Sequence, residues 1–295
     1  MGELHLDLPL AEEWEQDRDR LVEQLRGSGG CLVAFSGGVD SAVVARAAFE
    51  ALGDRAVAVT ATSPSVAAGE LELARQVARS IGIRHATITT REIEDPRYVS
   101  NPFDRCYFCK TELYSRLGDW LVEHPDVGRW VRAIVNGANL DDLGDHRPGL
   151  RAAGEHQVRS PLAECGLTKE RVRAIARGWG LAVADKPATP CLASRIAYGE
   201  PVTVERMQRI DQAEQWLRQR GFGDVRVRLH PGELARLEVA VEDLSRLVNG
   251  PIRDELMARM ESLGFRFVTL DLRGRRSGSL NSLVPLEQLE HSARE

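Results

Sequence analysis

A doubly wound, parallel α/β sheet followed by a smaller C-terminal α+β domain is the fold class this sequence predicts. Three observations predict it. Short apolar runs at 31–35, 56–61, 84–90 and 131–135 alternate with segments whose apolar residues recur at helical spacing, as in strand–helix–strand crossovers. The first run ends in Ser36-Gly37-Gly38-Val39-Asp40-Ser41, a glycine turn between a strand and a helix. The last third reads as helix, strand, strand, helix, strand, a separate small unit, so the expected domains are 1–200 and 201–295.

With 295 residues the chain can bury a substantial core in one large or two ordinary domains. Its 39 basic and 44 acidic residues leave a formal charge of −5, which argues against a general nucleic-acid binder. The N-terminal stretch is acidic without a signal peptide's apolar segment, and no run of about 18 apolar residues occurs. The expectation is a cytoplasmic protein with neither a nucleic-acid nor a membrane partner. Five cysteines, two of them in a C-x-x-C pair, point to metal or sulfur chemistry rather than a disulfide framework.

Residues 9–26 carry Trp14, Leu21 and Leu25 among many charges, an amphipathic helix leading to the first strand. After that strand, the glycine turn and helix N-terminus aim backbone N–H groups and the positive end of a helix dipole at one point, an anion cradle. Gly37 and Gly38 let the backbone approach a phosphate, and Ser36 and Ser41 offer hydroxyls without the lysine of a GxxxxGK[ST] loop. An ordinary glycine turn of a doubly wound sheet is the plainer alternative. Thr60 to Ser63 end the second strand, where they line a nucleotide base or ribose pocket or form only a polar loop. Leu71, Ala74, Ala78 and Ile81 predict a helix stopped by Gly82, and the strand 84–90 follows. The strand 131–135 delivers Asn136 to Asp142, with Asn139, Asp141 and Asp142 suited to ribose hydroxyls or a Mg²⁺ carried by pyrophosphate, or else to an Asn/Asp-rich turn. Thr168 caps a helix carrying Val172, Ile175 and Trp179, closed by Gly180.

Cys106 and Cys109, three apart, can share a metal or cluster or close a redox disulfide. Cys191 lies in a proline-flanked loop with Arg195 four positions on, a guanidinium that can lower the thiol pKa or hold a substrate carboxylate. Three cysteines fit a [4Fe–4S] cluster with one iron open, and a zinc site recruiting Cys165 is the competitor. Cys31 reads as a buried strand residue and Cys165 as structural. In the last third, Thr203 caps a helix whose face carries Met207, Ile210 and Leu217 together with Glu214, a carboxylate either at the rim or functional. Arg226 and Arg228, two apart on a strand, share a face, so either a phosphate lies between them or the face is solvated. Strands at 234–239 and 265–270 flank a helix at 251–263, and Arg275, Arg276, Ser277 and Asn281 form a polar loop.

SGGVDS at 36–41 resembles the pyrophosphate (PP) loop of the ATP pyrophosphatases, which cleave ATP to AMP and pyrophosphate while adenylating an oxygen. Together with RCYFCK (105–110), NGANLDD (136–142), HRPG (146–149), PCLASRIAYGE (190–200), VRVRLH (225–230) and LDLRGRRSGSLN (270–281), it makes nearly the whole chain similar to the LarE family of ATP-dependent sulfur transferases. The resemblance implies adenylation of a carboxylate of pyridinium-3,5-biscarboxylic acid mononucleotide and replacement of oxygen by sulfur, for the nickel-pincer cofactor of lactate racemase-type enzymes.

It also implies roles and partners. Ser36, Gly37, Gly38 and Ser41 hold pyrophosphate, Asp40 faces Mg²⁺, and Thr60 and Asn139 contact ATP. Cys106, Cys109 and Cys191 hold a [4Fe–4S] cluster carrying an extra sulfide, or Cys191 sacrifices its own sulfur. Lys110 or Arg195 steadies the oxyanion, and Arg195, Glu214, Arg226 and Arg228 bind the mononucleotide. The family implies a homo-oligomer, and a sulfide or persulfide must supply the sulfur. A tRNA thiolase, a queuosine-precursor synthase, an amide-forming ligase, a sensor without turnover and a zinc protein are the alternatives.

Overall fold

The computed structural model describes residues 9–143 and 148–276. Two compact units interleave along the chain. The described residues of Met1–Ser63, Gly69–Thr90 and Cys106–Thr189 make up the first, and those of Pro64–Ala68, Arg91–Arg105 and Pro190–Glu295 the second.

The first unit is built on a parallel sheet of β1 (Cys31–Ala34), β2 (Ala56–Thr62), β3 (Arg84–Thr89) and β4 (Ala133–Val135), in the order β3-β2-β1-β4. β1 is central: Cys31 pairs with both Ala56 and Ala133. Alternate residues of β1 and β2 enter separate cores, Cys31, Val33, Ala56 and Ala58 on one face and Leu32, Val57 and Val59 on the other. Burial on both faces is why these strands read as unbroken apolar runs. The first face is packed with residues of α1 (Pro9–Arg26), α2 (Val39–Leu52), α3 (Glu70–Ile81) and a helix at Lys169–Gly178; the second packs Tyr114, Leu117 and Trp120 of Arg105–Glu123. We label Arg105–Glu123 α4 and Lys169–Gly178 α5.

The α/β class and its parallel sheet are as the sequence predicts, with small shifts of boundary. α2 begins at Val39 rather than 42, and β4 at Ala133 rather than 131. The larger difference is α4, whose first turn carries Cys106 and Cys109 and which the apolar spacing does not announce. Thr168 caps α5 as expected, its Oγ1 accepting the Arg171 amide at 3.4 Å.

The second unit holds a sheet of β5 (Arg226–His230), β6 (Leu234–Glu238) and β7 (Phe267–Leu270), with β5 and β6 antiparallel and β6 and β7 parallel. α6 (Val204–Gln219) packs on β5, capped by Thr203, and Met207, Ile210 and Leu217 are buried with Val227, Leu229 and Leu237. Among the described residues no helix is long and apolar enough to cross a membrane.

Candidate active site

In the first unit the order β3-β2-β1-β4 puts the reversal of winding between β1 and β4, where open α/β sheets bind ligands beyond their strand ends. The loop after β1 is tightly folded. The Ser36 and Ser41 hydroxyls lie 3.1 Å apart, the Gly38 amide donates to Ser36 Oγ at 3.3 Å, and Ser41 Oγ donates to the Gly38 carbonyl at 3.1 Å. Gly37 takes φ +76°, and a Cβ there would stand 2.8 Å from the Ala74 Cα on α3. Only glycine meets both demands. No side chain caps α2, so the positive end of its dipole stays directed at the loop.

The loop after β4 approaches the same point. A Cβ on Gly137 would come within 2.8 Å of the Ser41 amide, so the two loops touch through backbone. Asn139, 3 % exposed, donates from Nδ2 to Asp40 Oδ1 at 3.3 Å, and its Oδ1 accepts the Asp141 amide at 3.0 Å. The other Asp40 oxygen pairs with Lys169 Nζ, from the first residue of α5. Asp141 Oδ2 fixes the Lys169 backbone amide at 2.8 Å. Sequence reasoning brought Asp40 and Asn139 to one region and missed Lys169, which lies 129 residues from its partner. Mg²⁺ keeps several waters and is commonly held by one or two carboxylates plus phosphate oxygens, so Asp40 alone fits a nucleotide-borne Mg²⁺. Thr60 is buried, its hydroxyl bonded to His85 Nε2 at 2.8 Å, and burial with the nearby Arg75 and Arg79 lowers the His85 pKa.

The cysteines divide by environment. Cys31 is fully buried in β1 and burial pushes its thiol up to about 12; burial also raises that of Cys165. Cys106 is exposed, and Cys109 and Cys191 are partly exposed. Cys106 and Cys109 share a helix turn in the first unit and Cys191 belongs to the second; among the described residues no three Cys, His, Asp or Glu side chains form a metal-holding group. Lys110 Cγ would lie 3.0 Å from a Cβ on Gly149, so this glycine leaves room beside the cysteine turn. Alkylation at pH 8 is expected to label Cys106, Cys109 and Cys191 within minutes and leave Cys31 unmodified until denaturant is added, because the thiolate is the nucleophile. Peptide mapping by mass spectrometry checks this.

In the second unit, Cys191 opens a short turn whose geometry is strongly enforced. Its carbonyl accepts Ser194 Oγ at 2.7 Å and Arg195 Nη1 at 3.1 Å, while the Leu192 amide donates to the Ser65 carbonyl at 2.8 Å. Asn101 donates to the Ala197 and Glu200 carbonyls at 2.8 and 2.9 Å, and Arg105 Nη1 donates to the Ala193 carbonyl at 3.1 Å. Arg195 differs from its expected role beside a thiol or substrate. It is fully buried, with Nε and Nη2 on the Glu214 carboxylate at 3.0 and 3.3 Å and Nη1 on the backbone around Cys191. Glu214 is equally buried and also accepts Arg218 Nη2 at 2.5 Å and the Val227 amide at 3.1 Å. Neither a rim position nor direct substrate contact describes it: packing of α6 on β5 turns this carboxylate inward.

Arg226 and Arg228 are 5 % and 8 % exposed, so a solvated face is excluded. Arg228 donates to the Ser194 carbonyl at 2.9 Å and to Glu238 at 3.0 Å. Arg226 lies 3.5 Å from Asp224, and burial first, then the charge of Arg195, lowers its pKa to about 10. Arg275 ion-pairs with Asp224 at 3.0 Å and Arg276 with Asp271 at 3.8 Å. Ser277, Asn281 and His146 lie outside the described residues.

Residues 15–103 match the NAD synthase family. Over 253 residues, 86 % of this chain and 92 % of the relative, the sequence is 46 % identical to the uncharacterized protein slr1717 of Synechocystis sp.. It is 35 % identical over 270 residues to the pyridinium-3,5-bisthiocarboxylic acid mononucleotide synthase of Lactiplantibacillus plantarum, covering 91 % of this chain and 95 % of that one. A tRNA-specific 2-thiouridylase MnmA of Azorhizobium caulinodans matches at 32 % over 60 % of this chain and 54 % of its own length. The near-complete match of both chains in the synthase, joined to a lysine-free phosphate loop at the end of β1, makes this protein a member of the LarE family of PP-loop, ATP-dependent sulfur transferases.

Proposed function

We propose that the chain adenylates one carboxylate of pyridinium-3,5-biscarboxylic acid mononucleotide and replaces an oxygen of that group with sulfur, for a nickel-pincer cofactor. The observation that carries this reading is the distribution of thiols. Cys106, Cys109 and Cys191, the three that the family resemblance marks, all reach the surface, as does Cys165, whose thiol burial raises, whereas Cys31 is sealed in the sheet.

A substrate carboxylate oxygen attacks the α-phosphorus of ATP, and pyrophosphate leaves against the loop of Ser36, Gly37, Gly38 and Ser41, with Asp40 facing Mg²⁺ and Asn139 and Thr60 on the nucleotide side. A sulfur nucleophile then adds to the acyl carbon, and AMP departs with the former carboxylate oxygen, leaving a thiocarboxylate. A [4Fe–4S] cluster on Cys106, Cys109 and Cys191, when bound, would leave one iron open to carry the extra sulfide. Cys106 and Cys109 on one helix turn suit two of those ligands. Lys110, one residue beyond that turn, is assigned to the developing oxyanion. Arg226 and Arg228, on one face of β5, are assigned to the substrate phosphate, whose charge would offset the burial and, after it, the Arg195 charge that lower the Arg226 pKa. Arg195 and Glu214 position the Cys191 turn. The protein acts in the cytoplasm as a homo-oligomer.

The test combines two measurements on anaerobically purified protein. AMP and pyrophosphate are expected in equal amounts only when the biscarboxylic mononucleotide is present, with thiocarboxylate formed alongside. About four irons and four sulfides per chain are expected. Absence of substrate-dependent AMP would overturn the reading. Iron-free protein whose Cys191 passes its sulfur to the product and is left as dehydroalanine, about 34 Da lighter, would move the sulfur source to that side chain.

A further inference from the structure

We propose that Arg105 is a positioning residue for sulfur transfer, setting the turn that carries Cys191 through one guanidinium nitrogen; this rests on reading Cys191 as the residue through which sulfur reaches the substrate. Arg105 is 4 % exposed, and its Nη1 donates both to the Ala193 carbonyl at 3.1 Å and to Asn101 Oδ1. Water competes little for bonds so enclosed. The place of that nitrogen is therefore passed on to the turn.

The anchor behind Arg105 is itself fixed. Asn101 is fully buried at φ +56°, a left-handed conformation that asparagine accepts more readily than most residues. Its Nδ2 donates to the Ala197 and Glu200 carbonyls, its own carbonyl accepts the Gly199 amide at 3.0 Å, and the Val99 carbonyl accepts the Val202 amide at 2.9 Å. The stretch 99–105 thus holds 197–202 and, through Arg105, reaches back to Ala193, two residues past Cys191.

The turn is gripped by its carbonyls. Arg195 takes that of Cys191, Arg105 that of Ala193 and Arg228 that of Ser194. Arg195 and Arg228 are held by Glu214 and Glu238, on α6 and β6, whereas Arg105 belongs to the separate stretch 91–105 of the same unit. Arg105 is what registers the turn against that stretch. All three contacts act on backbone and leave the thiol to its chemistry. Cys191 must present sulfur to an acyl carbon, from its own side chain or from a cluster it ligates, and a misplacement of about 1 Å can cost such a step about 10²-fold.

The experiment follows the two half-reactions of the full chain separately, as first-turnover pyrophosphate release and as thiocarboxylate formation, with Mg·ATP and the biscarboxylic mononucleotide. Arg105→Met keeps the apolar stem and loses the donor. It is expected to lower thiocarboxylate formation about 20- to 100-fold, the loss of one charged hydrogen bond, with pyrophosphate release within about twofold of wild type. Because both bonds leave from one nitrogen, an ammonium can supply them, and Arg105→Lys is expected to fall only about three- to tenfold in the same step. Wild-type transfer in Arg105→Met, equal loss of both half-reactions, or no recovery in Arg105→Lys each overturns the positioning role. If Arg105→Met does not fold, Arg105→Lys decides alone: a loss confined to sulfur transfer supports the role, and an unchanged or uniformly slowed enzyme overturns it. A Cys191→Ala chain that forms thiocarboxylate at the wild-type rate overturns the reading of Cys191 itself, and the inference with it.

Discussion

Glu214→Gln is expected to lower the melting temperature by about 10 °C. Removing one partner of a buried, hydrogen-bonded ion pair costs about 3–5 kcal/mol, and in a chain of this size each kcal/mol shifts the midpoint by about 2–4 °C. Glu214 is fully enclosed and accepts from Arg195, Arg218 and the Val227 amide, whereas a glutamine would turn an NH₂ toward guanidinium groups. The charge of Arg195 would remain buried without its counter-ion. Arg226, already depressed by burial and by Arg195, would also lose the opposing influence of Glu214. Replacing Arg195 and Glu214 together by Met and Leu is expected to recover much of the loss, since an apolar pair leaves no buried charge. Thermal unfolding followed by circular dichroism decides it: a shift under about 3 °C for the single variant means the pair is not what holds the Cys191 turn to α6.

The second large effect separates the two halves of the reaction. Cys191→Ala is expected to reduce thiocarboxylate formation by at least about 10³-fold, as loss of an essential nucleophilic or ligating thiol does, while pyrophosphate is still released in the first turnover, as the acyl-adenylate forms, at a rate within a few-fold of wild type. The phosphate loop, Asp40, Asn139 and Lys169 all lie in the other unit and keep their contacts. Cys106→Ala and Cys109→Ala then discriminate between sources of sulfur. If all three thiols hold a cluster, each variant loses both bound iron and sulfur transfer. Retained transfer in Cys106→Ala and Cys109→Ala leaves Cys191 as the donor.

What could be read from the sequence follows from how each feature is encoded. β1 and β2 announce themselves because burial on both faces demands uninterrupted apolar runs, and the glycine loop because a φ of +76° and a 2.8 Å approach to Ala74 demand glycine at 37. Thr168 and Thr203 cap their helices as read, since capping is local. The helix around Cys106 and Cys109 was not legible, for its first turn is polar and aromatic, with no apolar stripe until Leu113 and Leu117. Long-range partnerships were hidden altogether. Arg195 with Glu214 and Lys169 with Asp40 arise from packing of distant elements, and no spacing rule connects them. The assignment of 64–68 and 91–105 to the second unit is of the same kind: Ser65 and Asn101 serve the Cys191 turn through bonds that only the folded chain contains.

β1 has a hydrogen-bonded neighbour along each edge, and residues 36–41 leave directly from its end. Freeing the backbone beneath that loop means separating strands enclosed on both faces, an opening whose free energy approaches global unfolding of the unit. The Cys191 turn is held otherwise, by hydrogen bonds that converge on it from Ser65, Asn101, Arg105 and Arg195 rather than by strand pairing. On the proposed assignment the nucleotide is received by a loop anchored in strand pairing. The proposed sulfur chemistry then falls to a segment anchored mainly by side-chain hydrogen bonds, so two ways of fixing backbone serve the two halves of one reaction.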